Sequence, residues 1–146
     1  MVVGGDPVFL PHKNEDIMTQ APLIECVPNF SEGRRPEVIE AIAEAIRQTE
    51  GVKLLDVDPG KATNRTVMTM AGPPEMVIEA AVQAIRKAAS LIDMRHHTGE
   101  HPRMGATDVC PLIPISGITM EETAKYAHQL AKRVGEDLGI PVYMYE

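Results

Sequence analysis

An open α/β (α+β) sheet with its helices mainly on one face is the fold class this sequence predicts. Three observations predict it. Short apolar or alternating runs, bounded by Pro, Gly, Asn and Asp, recur along the chain and read as strands. Between them lie longer stretches with apolar residues at helical spacing. Their order from about residue 23 onward is β-α-β-β-α-β followed by α-β. That is a ferredoxin-like split βαβ sheet with one added unit.

Each element has its own signal. Leu23 to Val27 is an apolar run ended by Pro28 and Asn29, which predicts a buried strand. Pro36 suits a helix first turn, and Val38, Ile39, Ile42, Ala45 and Ile46 form one stripe that stops near Gly51. Val52 to Val57 is a second strand, closed by Asp58, Pro59 and Gly60. Arg65 to Met70 alternates polar and apolar residues as a third. Pro73, Pro74 and Glu75 open a helix with Val77, Ala81, Ala84, Ile85 and Ala88 on its face. Val109 to Ile115 is apolar but holds two prolines, which predicts an edge or irregular strand. Thr119 with Glu122 makes a capping box, and the helix it starts carries Ala127, Leu130, Ala131, Val134 and Leu138. Gly139 and Pro141 stop it, and Val142 to Tyr145 is a last strand. Residues 1–20, with four Gly or Pro and a charged run from Lys13 to Asp16, hold no sustained period and read as a flexible leader to a domain spanning 21–146. A sheet with one uncovered face predicts an oligomer or one lobe of a larger assembly.

Composition narrows the function classes. The 146 residues are 44% hydrophobic and 24% charged, which suits one soluble domain with an aliphatic core. A net charge of -7 without a basic stripe argues against nucleic acid as a partner. No apolar run is long enough to span a membrane, and the start lacks a secretory signal. Cys26 and Cys110 sit in apolar runs and read as buried small hydrophobes in a reducing, cytoplasmic compartment.

The segment Arg95 to Gly105 concentrates the chemistry. It gathers His96, His97 and His101 with Arg95, Arg103 and Glu100 between glycines, on what reads as a tight loop. Imidazoles ionise near neutral pH, so such a cluster suits proton transfer. Closely spaced histidines also serve as metal ligands, the basis of a metal-dependent hydrolase reading. The spacing is not the helical HExxH pattern, and proton transfer is preferred, with no metal expected. His12 and His128 read as incidental. Loop arginines such as Arg65 and Arg103 often only pair with nearby carboxylates, and Asp58 before Pro59-Gly60 is also an ordinary turn former.

Five segments carry a resemblance. Glu25-Cys-Val-Pro-Asn-Phe-Ser-Glu-Gly33, Leu55-Asp-Val-Asp58, Thr63-Asn-Arg-Thr-Val67, Gly99-Glu-His-Pro-Arg-Met-Gly-Ala106 and Asp108-Val-Cys-Pro111 occur in order from about Pro22 to Tyr145. The chain so resembles the N-terminal lobe of the glutamate formiminotransferase family, also found fused to a cyclodeaminase. The resemblance implies transfer of a formimino group between 5-formiminotetrahydrofolate and glutamate in histidine breakdown. Tetrahydrofolate is then the carrier, and His101 the catalytic histidine. It also implies a second lobe after Glu146 that completes the folate site, and dimers. Residue chemistry added to the motif match makes Asp58 the carboxylate that stabilises a cationic formimino carbon and orients the imidazole. Arg65 and Arg103 become the donors to glutamate carboxylates, and Asn29 and Asn64 position amine or pterin groups. The alternative is a binding module that keeps the fold and a folate or amino-acid site without turnover.

Overall fold

The computed structural model describes residues 1–5, 21–94 and 105–144. Its strands are β1 (Val2–Gly5), β2 (Leu23–Cys26), β3 (Asn29–Phe30), β4 (Lys53–Gly60), β5 (Arg65–Gly72), β6 (Thr107–Ser116) and β7 (Tyr143–Met144). The helices are α1 (Pro36–Arg47), α2 (Pro74–Leu91) and α3 (Met120–Leu138). β2 and β3 lie end to end as one interrupted strand between β5 and β6, antiparallel to both. β4 flanks β5 on its outer side, also antiparallel. The central order β6–β2/β3–β5–β4 is the split βαβ arrangement the sequence predicts.

The helices pack side by side against one face, α1 over β4 and β5, α2 over β2, β5 and β6, and α3 over β1 and β6. Alternation along β5 records the result. Thr66, Met68 and Met70 are buried under the helices, whereas Arg65, Val67, Thr69 and Ala71 are half-exposed on the other face. The core is aliphatic: Val38, Ile42 and Ile46 of α1 and Val77, Ile78 and Ile85 of α2 close on Ile24, Phe30, Met68, Met70 and Leu112. Each such side chain contributes about 1.5–3 kcal/mol by leaving water. The α3 capping box forms as the sequence predicts, with Glu122 N–H donating to Thr119 Oγ1 at 3.1 Å and Thr119 N–H to Glu122 Oε1 at 3.0 Å. Gly139 ends the helix at φ 67°, the left-handed conformation that favours glycine.

The structure departs from the sequence reading in three places. Residues 2–5, assigned above to a flexible leader, form β1, parallel to both β6 and β7, with Met1 and Val3 in the core. Four residues are too few to show a period, and this strand is fixed by partners more than 100 positions away. Residues 6–20 lie outside the described residues. β6 is irregular, as its prolines require, but it is not an edge, because β2 and β3 pair on one side and β1 on the other. Pro114 sits beside the register shift between Leu23 and Ile24 and beyond the end of β1, where the ladder is already broken. Finally, Asn29 and Phe30 are strand rather than loop. The break at Val27-Pro28 is bridged by bonds from Val27 N–H to Pro111 O (3.1 Å) and from Met68 N–H to Pro28 O (3.0 Å).

Candidate functional site

Strand pairing lines up residues across the sheet face away from the described helices. Asp58 lies opposite Val67, Val67 opposite Asn29, and Asn29 opposite Val109. Asp58 and Asn29 are therefore two strands apart, a backbone separation of about 10 Å. Arg65, at the start of β5, faces the same side, and its guanidinium is held by Asn29: Nε and Nη2 donate to Asn29 Oδ1 at 2.9 and 2.6 Å. The Asn29 amide is only 7% exposed, and its Nδ2 donates to Val27 O at 3.1 Å. Asn29 thus orients Arg65, while Asp58 is exposed beside them.

Two loops are knitted together next to this row. Asn64 adopts φ 51°, a left-handed conformation that asparagine tolerates better than most residues. Its Oδ1 accepts the Gly33 N–H at 2.9 Å, so this predicted substrate contact is placed as a buried brace between loops. The Thr66 hydroxyl donates to Glu32 O, and Arg34 Nε to Lys61 O at 2.8 Å. Gly33 is pressed so close that a Cβ there would lie 2.2 Å from Gly60 O and 2.5 Å from Arg65 N.

Glu32, which the sequence reading did not single out, organises the entry to α1. It is 6% exposed, and its Oε2 accepts the N–H groups of Arg34 and Arg35, each at 3.0 Å. Oε1 takes Arg35 Nε at 2.9 Å. Burial is the largest single influence on its carboxyl and raises the pKa. The Arg35 guanidinium and the two backbone N–H groups together outweigh it and hold the carboxyl below its ordinary value. A glutamate four positions before a helix looks like a solvated charge, so only a pattern of donors after it hints at this role.

The histidine-rich segment adjoins the same cluster by its root. Ser31 N–H donates to Ala106 O at 2.8 Å, and Ser31 Oγ to Gly105 O at 2.7 Å. His96, His97, His101 and Arg103 themselves lie outside the described residues. Among the described residues no group of three His, Cys, Asp or Glu is placed to hold a metal ion. No helix there is long and apolar enough to cross a membrane. His128 is exposed on α3.

Other features lie elsewhere. A groove of about 910 Å³ runs between α1 and α2 on the helical side, lined by Glu44, Gln48, Glu79, Gln83, Arg86 and Lys87. Cys26 and Cys110 are buried thiols 3.3 Å apart, without a disulfide. Their mutual hydrogen bond, then burial, pushes the Cys26 thiol well above its ordinary value.

Comparison with known proteins bears on this geometry. Residues 23–146 match the family model described as formiminotransferase domain, N-terminal subdomain. The chain is 58% identical over 123 residues to a formimidoyltransferase-cyclodeaminase of Sus scrofa, covering 84% of this chain and 23% of that protein. It is 45% identical over 126 residues to a glutamate formimidoyltransferase of Streptococcus pyogenes serotype M1, 86% of this chain and 42% of the other. A glutamate formimidoyltransferase of Thermoplasma acidophilum is 48% identical over 123 residues, 84% against 41%. The chain thus spans less than half the length of these relatives.

Proposed function

Because the chain belongs to the formiminotransferase family, as its N-terminal subdomain, we propose that it supplies the proton-transfer half of a site moving a formimino group between 5-formiminotetrahydrofolate and glutamate. The observation that carries this reading is the convergence of Asn29, Arg65 and Asp58 with the root of the His101 segment, through Ser31. His101 and Arg103 enter by their motif, Gly99 to Ala106.

The chemistry follows from what each group offers. The glutamate amine is an ammonium ion at neutral pH, and the neutral imidazole of His101 accepts a proton from it. The freed nitrogen attacks the formimino carbon and a new C–N bond forms. The bond from that carbon to the folate nitrogen then breaks, and His101 returns the proton to the departing nitrogen. Asp58 offsets the positive charge that the amidine-like carbon carries. Arg65, already aimed by Asn29, and Arg103 take the glutamate carboxylates by charge-assisted bonds. Asn64 acts one step back, bracing the loop that carries Arg65.

Tetrahydrofolate is here the carrier substrate, and no metal takes part in this scheme. The sheet face away from the described helices is proposed to meet a second lobe, or a further copy of the chain, which completes the folate site. A cytoplasmic location suits the buried free thiols.

The test is turnover of 5-formiminotetrahydrofolate with glutamate, by the chain alone and with the remaining portion of a relative added. His101→Ala is expected to lower kcat by about 10²–10⁴-fold. A His101→Ala variant as active as the unaltered chain overturns the reading. Absence of turnover with and without the added portion, with folate still bound, favours a binding module.

A further inference from the structure

Residues 95–104 lie outside the described residues, and the chain on either side of them is held by the same short segment. On the outgoing side, Arg35 Nη2 donates to Leu91 O at 3.0 Å, capping the last carbonyl of α2. On the returning side, Ser31 donates twice, from Oγ to Gly105 O and from its N–H to Ala106 O. Ser31 and Arg35 are in turn tied together by Glu32, whose carboxylate takes Arg35 Nε and two backbone N–H groups. Thr66 fastens Glu32 O to β5, and Asn64 fastens Gly33 to the neighbouring turn. One braced unit of five residues thus spans both roots.

We propose that Ser31 and Arg35 are positioning residues for His101, which fix the described residues on either side of its segment, Leu91 and Gly105–Ala106, relative to Arg65 and Asp58. The proposal rests on the reading of His101 as the proton-transfer group. Covalent reach gives the two anchors unequal weight. His101 is four residues from Gly105, at most about 14 Å of extended chain, but ten from Leu91, about 35 Å. The Ser31 anchor therefore governs His101 more tightly than the Arg35 anchor. Ser31 sits beside Asn29 and Phe30 of β3, so the strand that orients Arg65 also fixes the returning root. The bonds themselves are ordinary, and their effect is geometric: a displacement of about 1 Å at a reacting group costs on the order of 10²-fold in rate.

The experiment reads His101 directly. In the full chain with ¹³C-labelled histidine, the His101 imidazole resonance and its titration midpoint are followed for Ser31→Ala, Ser31→Thr and Arg35→Met, with His128 as internal reference. Ser31→Ala is expected to move the His101 signal and midpoint, Ser31→Thr to restore them, and Arg35→Met to have the smaller effect; His128 stays put in all three. Turnover run beside it is expected to show kcat reduced about tenfold or more in Ser31→Ala, with KM within about twofold. A His101 signal unchanged in Ser31→Ala overturns the proposal, as does a His128 signal that moves equally, since that reports general loosening. A moved His101 signal in a chain whose unaltered form gives no turnover even with the remaining portion of a relative added upholds the anchoring and removes the proposed reaction, so the two claims fail separately.

Discussion

Replacing Gly33 with alanine adds one carbon where the structure has no room for it. The new Cβ meets Gly60 O at 2.2 Å, Arg65 N at 2.5 Å and Arg65 O at 2.8 Å, all below the 3.0 Å that real contacts respect. All three are backbone atoms, so no side chain can swing aside, and relieving the worst contact takes about 0.8 Å of movement between the two loops. Overpacking of this kind costs about 1–3 kcal/mol. The Gly33 N–H bond to Asn64 is lost with it, at about another 1 kcal/mol. For a domain of this size the sum of about 3 kcal/mol lowers Tm by about 6–12 °C. Gly135 supplies the control. It lies exposed in α3 with nothing within 4 Å of its Cβ position, so alanine there removes a helix-interior glycine without a clash. That change is expected to stabilise by about 0.5–1 kcal/mol. Thermal unfolding of the two variants beside the unaltered chain is the assay. The same chemical change is thus expected to give opposite signs at the two sites. A Gly33→Ala chain as stable as the unaltered one would refute the close packing of residues 31–34 on 60–65.

Further outcomes follow from the same cluster. Glu32→Gln is expected to lower stability at neutral pH by about 1–3 kcal/mol, because a charge-assisted bond to Arg35 is lost. Since the Glu32 carboxyl is held below its ordinary value in the folded chain, its contribution is present above the unfolded pKa and lost as pH falls through the folded one. Urea midpoints of variant and unaltered chain should therefore converge in acid, and a gap that persists there contradicts the assignment. Asn64→Ala loses both the bond to Gly33 and the residue type that tolerates φ 51°, costing about 2 kcal/mol, while Asn64→Gly also loses the bond but adopts φ 51° freely. Equal loss in both variants would show that the backbone conformation carries no cost. Arg65→Lys cannot reproduce the two-pronged contact with Asn29, and is expected to raise KM for glutamate about tenfold. An unchanged KM would remove Arg65 from the carboxylate site.

Much of the fold is legible in the sequence because its elements carry local signals. Pro36 opens α1, Thr119 with Glu122 opens α3, and the alternation of Arg65 to Met70 marks β5. What escapes is decided by distant partners. Val2–Gly5 becomes a strand only beside β6 and β7, and β6 keeps two prolines inside a sheet because irregular pairing and a short neighbour spare them. The site divides in the same way. Asn29, Asp58, Asn64 and Arg65 are legible as polar groups at strand ends, and the structure brings Asn29, Asp58 and Arg65 to one end of the sheet face away from the described helices, with Asn64 in the adjoining turn. It also sorts them into an aimed arginine with its holder, an exposed carboxylate and a buried brace, which residue type alone does not distinguish. Ser31, Glu32 and Arg35 escape altogether, since a serine or glutamate in a loop gives no sign of what it ties together.

The measurement that bears most directly on the account is backbone chemical-shift mapping of the chain with tetrahydrofolate and glutamate. The account predicts shifts at Asn29, Asp58, Asn64, Arg65 and the Gly105–Thr107 root, with none at Gln48, Glu79, Gln83 or Arg86 in the α1–α2 groove. Shifts confined to that groove, with the strand-end residues silent, would contradict it.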